Sequence, residues 1–176
     1  MISTLRQVHS FKLTLATAFM ALLGMGLNVH AESPAHASEP VSLATLLDVY
    51  KDPNCGCCND WIDHADARGF KVRAHNSDRM PMLKMAKGIR AQYQSCHTAI
   101  SAEGYVFEGH VPARYVQQFL SAPPANAIGL SVPAMPMGSP GMEYQNRFDP
   151  YKVLLLMKDG SSQVYASITN LEDSVK

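Results

Sequence analysis

The segment Val49–His64, VYKDPNCGCCNDWIDH, connects a strand to a helix and carries three of the four cysteines. The residues around its start, Leu43–Tyr50, are mostly apolar, which is typical of a strand buried on both faces. The turn residues Asp52-Pro53-Asn54 end that strand, and a helix follows from near Cys57 to Arg68. The apolar side of this helix has the i, i+3, i+4, i+7 spacing of Cys58, Trp61, Ile62 and Ala65.

Strands and helices continue to alternate along the rest of the chain. Runs rich in β-branched and aromatic residues predict strands, and apolar residues at helical spacing predict two further helices. One of these helices carries Met82 and Met85 on its apolar side, so both are expected in the core. The remaining predicted elements are a strand Phe70–Ala74, a helix from Ser77 or Asp78 to Lys87, a hairpin of Thr98–Ala102 and Tyr105–Glu108, a helix with Pro112 in its first turn, and a hairpin of Tyr151–Met157 and Gln163–Ile168.

This order of elements predicts an α/β fold with a mixed sheet flanked by helices. Strands separated by helices pair in parallel, whereas the hairpins add antiparallel strands. The topology resembles that of thioredoxin-like proteins, with an added C-terminal hairpin. Before that hairpin, Ala122–Pro150 holds six prolines, three glycines and three methionines without clear periodicity. We expect a long Pro/Gly/Met loop there, ordered or disordered, and long loops in compact domains are usually functional.

The N-terminal residues have the pattern of a secretory signal peptide. Two basic residues precede the 15-residue apolar run Leu13–Leu27, which is shorter than the about 20 residues that a membrane span needs. Small residues then predict cleavage after Ala31. We therefore expect export to the periplasm and no stable membrane insertion after cleavage. The predicted organisation is a signal peptide at residues 1–31, a flexible tether at residues 32–42 and a thioredoxin-like domain at residues 43–176.

Composition excludes several classes of protein. The 176 residues are 47% hydrophobic and 17% charged, with 15 basic and 15 acidic residues. These values fit one globular domain and exclude a collagen-like, coiled-coil or wholly disordered chain. Nucleic acid is not expected as a partner, because phosphate binding requires clustered Lys and Arg and this chain has no basic block.

The cysteines are the candidate functional residues. Cys55 and Cys58 form a C-x-x-C pair at the start of a helix, with Cys57 as a third thiol inside it. The helix dipole and the unpaired N–H groups at that end favour thiolates. Cys96 lies in the string QSCHT before the third strand, about where thioredoxin-like proteins carry a cis-proline. That position brings all four sulfurs into one pocket and argues against an ordinary thioredoxin mechanism.

Four thiols on an exported protein are compatible with disulfides, zinc, an iron–sulfur cluster or copper. Adjacent Cys57 and Cys58 can hardly bridge each other, so at most two disulfides form. Structural zinc more often uses two separated C-x-x-C pairs, and iron–sulfur clusters typically use other spacings. Thiolates with nearby methionine and histidine favour Cu(I), which is a soft ion. Residue spacing alone leaves these alternatives open.

Histidines and methionines supply further candidate ligands. His97 is adjacent to the fourth cysteine, and His110 ends the fourth predicted strand near the expected site. Met137 falls in the long loop, where it either closes the pocket or binds metal, and Met80 is assigned to neither core nor site. The histidines expected at the surface without a role are His64 and His75.

Five strings together resemble one family: the segment Val49–His64, then SCHTA, GYVFEGHVPA, IGLSVPAMPMGSPGME and DPYKVLLL. The family is the CopG-type group of periplasmic copper-resistance proteins, a metal-binding family of unknown function, and the likeness spans Val49 to Leu156. The resemblance implies a thioredoxin-like fold that binds copper ions, and copper efflux or chaperone proteins as partners. It implies a multinuclear Cu(I)–thiolate cluster on Cys55, Cys57, Cys58 and Cys96. The full set of predicted metal ligands is Cys55, Cys57, Cys58, Cys96, His97, His110 and Met137.

Three functions are compatible with these residues. The leading prediction is copper binding in resistance or homeostasis, with Cu(I)/Cu(II) redox activity as an extension. The main alternative is a thiol–disulfide oxidoreductase that uses Cys55 and Cys58. The third is a disulfide-stabilised binding module without chemistry. Whether the chain is an enzyme is left open.

Overall fold

The structure, a computed structural model, describes residues 45–175. The predicted signal peptide and tether lie outside these residues. Within them, no helix is long and apolar enough to cross a membrane. The elements are β1 (Thr45–Lys51), α1 (Gly56–Asp66), β2 (Phe70–Asn76), α2 (Met80–Ala86), a 3₁₀ helix (Ala91–Tyr93), β3 (His97–Ser101), β4 (Val106–Gly109), α3 (Ala113–Ser121), β5 (Ala127–Val132), β6 (Tyr151–Met157), β7 (Ser162–Ile168) and α4 (Leu171–Val175).

The strands form one mixed sheet in the order β2-β1-β3-β4-β5-β6-β7. The pairs β1–β2 and β4–β5 are parallel, and the other neighbours are antiparallel. This confirms the predicted fold class, and the C-terminal hairpin β6–β7 lies where the sequence predicts it. The thioredoxin-like topology stays a prediction.

The core lies between the sheet and the helices α1 and α3. Phe107 of β4 meets Phe119 of α3 edge to face, with 5.6 Å between the ring centroids. Trp61 of α1 is fully buried, and its indole N–H donates to the carbonyl oxygen of Val111 at 2.9 Å. A buried indole requires such an acceptor. This hydrogen bond fixes α1 against the segment that enters α3.

Strand β5 lies inside Ala122–Pro150, for which the sequence predicts only a loop. Its register against β6 shifts between Ala127 and Gly129. Such a bulge breaks the alternation of side chains by which a strand is recognised in a sequence. Parallel pairing with β4 nevertheless leaves most of the strand buried. The loop before the C-terminal hairpin is therefore shorter than predicted and covers residues 133–150.

The methionines of α2 contradict the prediction that they pack in the core. Met82 and Met85 are 62% and 73% exposed. Lys84 is buried instead, because its ammonium pairs with the buried carboxylate of Glu108 on β4. A long-range ion pair thus decides which side of the helix faces the sheet.

The prediction that His64 lies at the surface without a role was wrong, whereas His75 is partly exposed at the surface, as predicted. His64 is only 8% exposed, and its Nε2 accepts a hydrogen bond from the backbone N–H of Ala113 at 3.1 Å. His75 is partly exposed, stacks on Tyr50 and lies 2.7 Å from a carboxylate oxygen of Asp48. Burial lowers the pKa of His64 to about 4. This histidine is therefore neutral at pH 7 and connects α1 to the start of α3.

The titration of His64 predicts a loss of stability in acid. Because the pKa is about 4 in the folded chain against 6.5 for a free histidine, the unfolded chain takes up the proton first. The contribution of neutral His64 to stability is complete above pH 6.5 and is lost as the pH falls to 4. At pH 4 the free energy of unfolding is therefore lower by about 3 kcal/mol than above pH 6.5. Urea denaturation at a series of pH values measures it.

The matched variant is His64→Gln, which keeps an acceptor for the N–H of Ala113 but does not titrate. Between pH 6.5 and pH 4, the free energy of unfolding of this variant should fall by about 3 kcal/mol less than that of the wild type. Identical pH dependence in the variant and the wild type would contradict the prediction.

Candidate metal centre

Four sulfurs meet at the N-terminal end of α1. The sulfur of Cys57 lies 3.6 Å from that of Cys55 and 3.9 Å from that of Cys96. Cys55 and Cys58 are joined by a disulfide, and Cys57 and Cys96 are thiols. All four sulfurs lie within 4.8 Å of one another. The fold therefore brings Cys96 next to the cysteines of the C-x-x-C segment.

Strand register explains how Cys96 reaches this position. The antiparallel pairing of β1 with β3 sets Lys51 opposite His97, so the residue before β3 lies beside the turn that follows β1. Within that turn, the N–H of Cys55 donates to the carbonyl oxygen of Asp52 at 3.1 Å. The helix α1 then begins at Gly56. The three neighbouring cysteines thus lie at the end of the helix where N–H groups are unpaired.

His110 presents a nitrogen lone pair to Cys96. Its Nδ1 lies 2.8 Å from the carbonyl oxygen of Pro140, and a carbonyl oxygen only accepts, so Nδ1 carries the proton. In a neutral imidazole the lone pair is then on Nε2, which lies 3.1 Å from the sulfur of Cys96. Burial lowers the pKa of His110 and favours the neutral ring. Metal-binding histidines are oriented by the same kind of N–H to carbonyl bond.

His97 is a second buried imidazole beside the same sulfur. Its Nδ1 lies 3.3 Å from the sulfur of Cys96, and its ring packs against Trp61 with 4.7 Å between the centroids. Burial lowers the pKa of His97 well below its usual range. Its Nε2 is buried and has no hydrogen-bond partner among residues 45–175, which is uncommon in folded proteins. Cys96, His97 and His110 thus form a second group with metal-ligand spacing.

The loop at residues 133–150 covers the centre. Pro140 contacts His110 as described, and Gly141 lies against the first turn of α1. A Cβ on Gly141 would come within 2.6 Å of the carbonyl oxygen of Cys57 and 2.8 Å of the backbone nitrogen of Trp61. Its φ of +82° also requires glycine. Met137 lies in this loop and is half-buried, and its role as a ligand stays a prediction.

Comparison with known proteins identifies the family. The model of a family described as a protein of unknown function, DUF411, matches residues 93–142. Two solved structures, entitled copper resistance protein CopG, Form 1 and Form 2, are each 41% identical to this chain with a TM-score of 0.68. Each match covers 72% of this chain and 99% of the solved chain. The chain belongs to the CopG family. A search of the curated proteins gives no match.

The predicted resemblance to the CopG-type group is therefore confirmed. The segment that the DUF411 model matches contains the second half of the centre, including Cys96, His97 and His110. It also contains the loop residue Met137. The C-G-C-C string lies outside that segment, and the solved CopG structures extend the likeness over most of the described chain.

A buried ion pair that the sequence does not reveal holds Cys96 in place. The ammonium of Lys84 bonds the carboxylate of Glu108 and donates to the carbonyl oxygen of Ser95 at 2.8 Å. The same carboxylate accepts from the N–H of Ser95 at 2.7 Å and from the hydroxyl of Thr98 at 2.6 Å. The backbone of Ser95 and the hydroxyl of Thr98, on the two sides of Cys96, are thus anchored to one pair of charges. The sequence feature that hints at this pair is a charged residue, Glu108, inside the otherwise uncharged strand VFEG.

The protonation of the thiols sets what the centre can do. Burial and the neighbouring Cys57 raise the pKa of Cys96 to about 12, so its thiol keeps its proton at neutral pH. A metal ion must displace that proton to bind the sulfur. Reduction of the disulfide between Cys55 and Cys58 supplies two further thiols. The centre can therefore hold soft metal ions when reduced, or exchange disulfides when oxidised.

Breaking the ion pair is expected to loosen the centre. In Glu108→Gln the ammonium of Lys84 stays buried without a counter-charge, which lowers the free energy of unfolding by about 3–5 kcal/mol. The segment around Cys96 then opens more often, so its thiol reacts faster with a chromogenic disulfide reagent. Urea denaturation and the rate of that reaction measure the two effects.

The control replaces both charges, as in Lys84→Met with Glu108→Leu. Apolar residues of similar size should restore much of the lost stability, but they cannot restore the hydrogen bonds to Ser95. Fast reaction of Cys96 should therefore persist in the double variant. A Glu108→Gln protein as stable as the wild type would contradict the assigned role of the pair.

Proposed function

We propose that this chain binds Cu(I) as cargo in copper resistance or homeostasis, through a multinuclear thiolate cluster on its cysteines. The observation that carries the proposal is the approach of all four sulfurs to within 4.8 Å of one another. The names of the solved relatives, copper resistance proteins, support it. The proposed ligands are Cys55, Cys57, Cys58 and Cys96, with His97, His110 and Met137 as additional donors.

The chemistry of the donors favours copper. Thiolates and thioethers are soft ligands that select Cu(I). Because one thiolate can bridge two ions, four sulfurs can hold more than one Cu(I). The neutral imidazoles of His97 and His110 are donors that Cu(II) also accepts. This supports the extension that bound copper changes between the two valence states.

Loading requires defined changes in the protein. An external dithiol first reduces the disulfide between Cys55 and Cys58, and is itself oxidised to a disulfide. Each thiol then gives up its proton as its sulfur binds copper. Cys58 and Trp61 are fully buried, and together with the loop at residues 133–150 they limit the access of water and oxidants.

We also propose that the chain works in the periplasm, with copper efflux or chaperone proteins as partners. The signal-peptide pattern at residues 1–31 supports export. A disulfide between Cys55 and Cys58 suits an oxidising compartment.

An anaerobic titration of reduced protein with Cu(I) tests the leading proposal. We expect more than one equivalent per chain, and less in Cys57→Ser or Cys96→Ser, because each removes a bridging sulfur. Elemental analysis and thiolate-to-copper absorbance measure the bound metal. His75→Gln, a histidine outside the centre, should bind as much as the wild type. Full stoichiometry in a variant with all four cysteines changed to serine would exclude the cluster.

The disulfide favours thiol–disulfide exchange as a second candidate function. The thiol of Cys57 lies 3.6 Å from the sulfur of Cys55, so a thiolate there can attack the disulfide and release Cys58. Cys96, whose pKa is raised to about 12 by burial and by the neighbouring Cys57, keeps its proton and takes no part in this exchange.

An insulin-reduction assay on metal-free protein distinguishes the two functions. We expect no acceleration over the small-molecule dithiol alone, because the sulfurs are partly covered and held for ligation. Acceleration that is lost in Cys58→Ser would establish the oxidoreductase instead. The same preparation should be titrated with Cu(I), so that an inactive protein is shown to be folded and reduced.

A further inference from the structure

A groove of about 310 Å³ opens onto Cys96 beside α2. Met80, the first residue of that helix, lies in its wall, and so do the carboxylates of Asp52 and Asp78. Lys84 lines the groove as well. The groove thus connects solvent with one cysteine of the centre, and its lining residues include a methionine and two acidic residues.

We propose that this groove is the entry site for Cu(I), and that Met80 is the thioether that receives the ion before it passes to Cys96. The proposal rests on the function proposed above. It assigns a second, transient metal site to a methionine that neither the core nor the cluster uses. The transfer is a ligand exchange in which copper stays Cu(I), the bond to Met80 breaks, and the thiol of Cys96 releases its proton to solvent as its sulfur binds the ion.

Burial of the other ligands leaves few directions of approach. Cys58, His97 and His110 are fully buried, and Pro140 and Gly141 cover the side of the centre that faces the loop. Cys55, Cys57 and Cys96 are the half-buried cysteines. The groove beside α2 reaches Cys96, and a methionine and a cysteine line it together.

The charges of the groove favour a cation. Asp52 and Asp78 are exposed at its rim. Lys84 also lines the groove, but its ammonium is paired with the buried carboxylate of Glu108, which neutralises the charge. The lining is therefore negative on balance. A cleft of one sign of charge concentrates ions of the opposite sign and speeds their arrival, by an amount that falls as salt is added.

The thioether of Met80 suits a passing ion. A thioether is neutral and soft, so it binds Cu(I) but more weakly than a thiolate does. The ion therefore moves from Met80 to Cys96 with a gain in affinity. Met80 is half-buried, whereas Met82 and Met85 of the same helix are mostly exposed and do not line this groove. These two residues are matched controls for any general effect of surface methionines.

The test is the rate at which reduced protein takes up Cu(I). Cu(I) is supplied anaerobically as its acetonitrile complex, which is a labile cation, and stopped-flow absorbance follows the rise of the thiolate-to-copper band. Met80→Leu, which conserves volume, should load several-fold more slowly than the wild type, with the same final stoichiometry. Met82→Leu and Met85→Leu should load at the wild-type rate. The variant with both Asp52→Asn and Asp78→Asn should be slowed about tenfold at low salt and less at high salt.

A direct measurement of binding complements the rates. Ag(I), a diamagnetic substitute for Cu(I), is added below one equivalent to the variant with all four cysteines changed to serine. The methyl NMR signal of Met80 should shift, and those of Met82 and Met85 should not.

The outcomes separate this proposal from the one on which it rests. A wild-type protein that takes up no Cu(I) refutes the proposed function. A wild type that loads normally while Met80→Leu loads at the same rate refutes the entry site, and copper then enters past Cys55 and Cys57. Equal slowing in Met82→Leu also refutes it, because the effect then belongs to exposed methionines in general.

Discussion

The pairing of β1 with β3 is the constraint on which the centre depends. The C-x-x-C segment and Cys96 are far apart in the chain, and no local structure connects them. The antiparallel register that sets Lys51 opposite His97 puts the start of one strand beside the end of the other. A shift of one residue would turn every side chain of β3 to the opposite face of the sheet. Both His97 and the sulfur next to it would then leave the centre.

Electrostatics explain how so many polar groups are buried together. In the metal-free state the centre carries little charge, because its imidazoles are neutral and the thiol of Cys96 is protonated. The one pair of full charges, Lys84 with Glu108, is compensated internally and bonded to Ser95 and Thr98. Uncompensated charges at these positions would be costly. Under the proposed function, each Cu(I) ion takes the place of a thiol proton, so loading changes the net charge of the centre little.

Local sequence patterns predicted the elements, and long-range contacts decided the exceptions. The helical spacing through Trp61 and the two hairpins are short-range signals, so α1, β3–β4 and β6–β7 were predicted correctly. The inward side of α2 was not, because Lys84 is buried by a carboxylate 24 residues away. His64 is buried by a backbone N–H from α3. The bulge near Gly129 hid β5.

The candidate site was largely visible in the sequence, because its cysteines are few and three lie within four residues. The approach of Cys96 was predicted from the likeness to thioredoxin-like proteins, in which the segment before that strand packs beside the C-x-x-C pair. The ion pair that holds it, and the tautomer of His110, depend on atoms that no spacing rule describes. The likeness to the copper resistance protein CopG added what geometry alone does not carry, which is the reason for proposing copper as the metal.

Because Cys55 and Cys58 form a disulfide, the number of free thiols in the centre depends on whether the surroundings reduce that bond. While it persists, half of the sulfurs are withheld, and only Cys57 and Cys96 are thiols. Under the proposed function, the number of copper ions one chain can store is then set by the supply of electrons to the compartment as well as by the supply of copper. Under the proposed function, a cell that controls the reductant would control how much metal it buffers without making or degrading any protein.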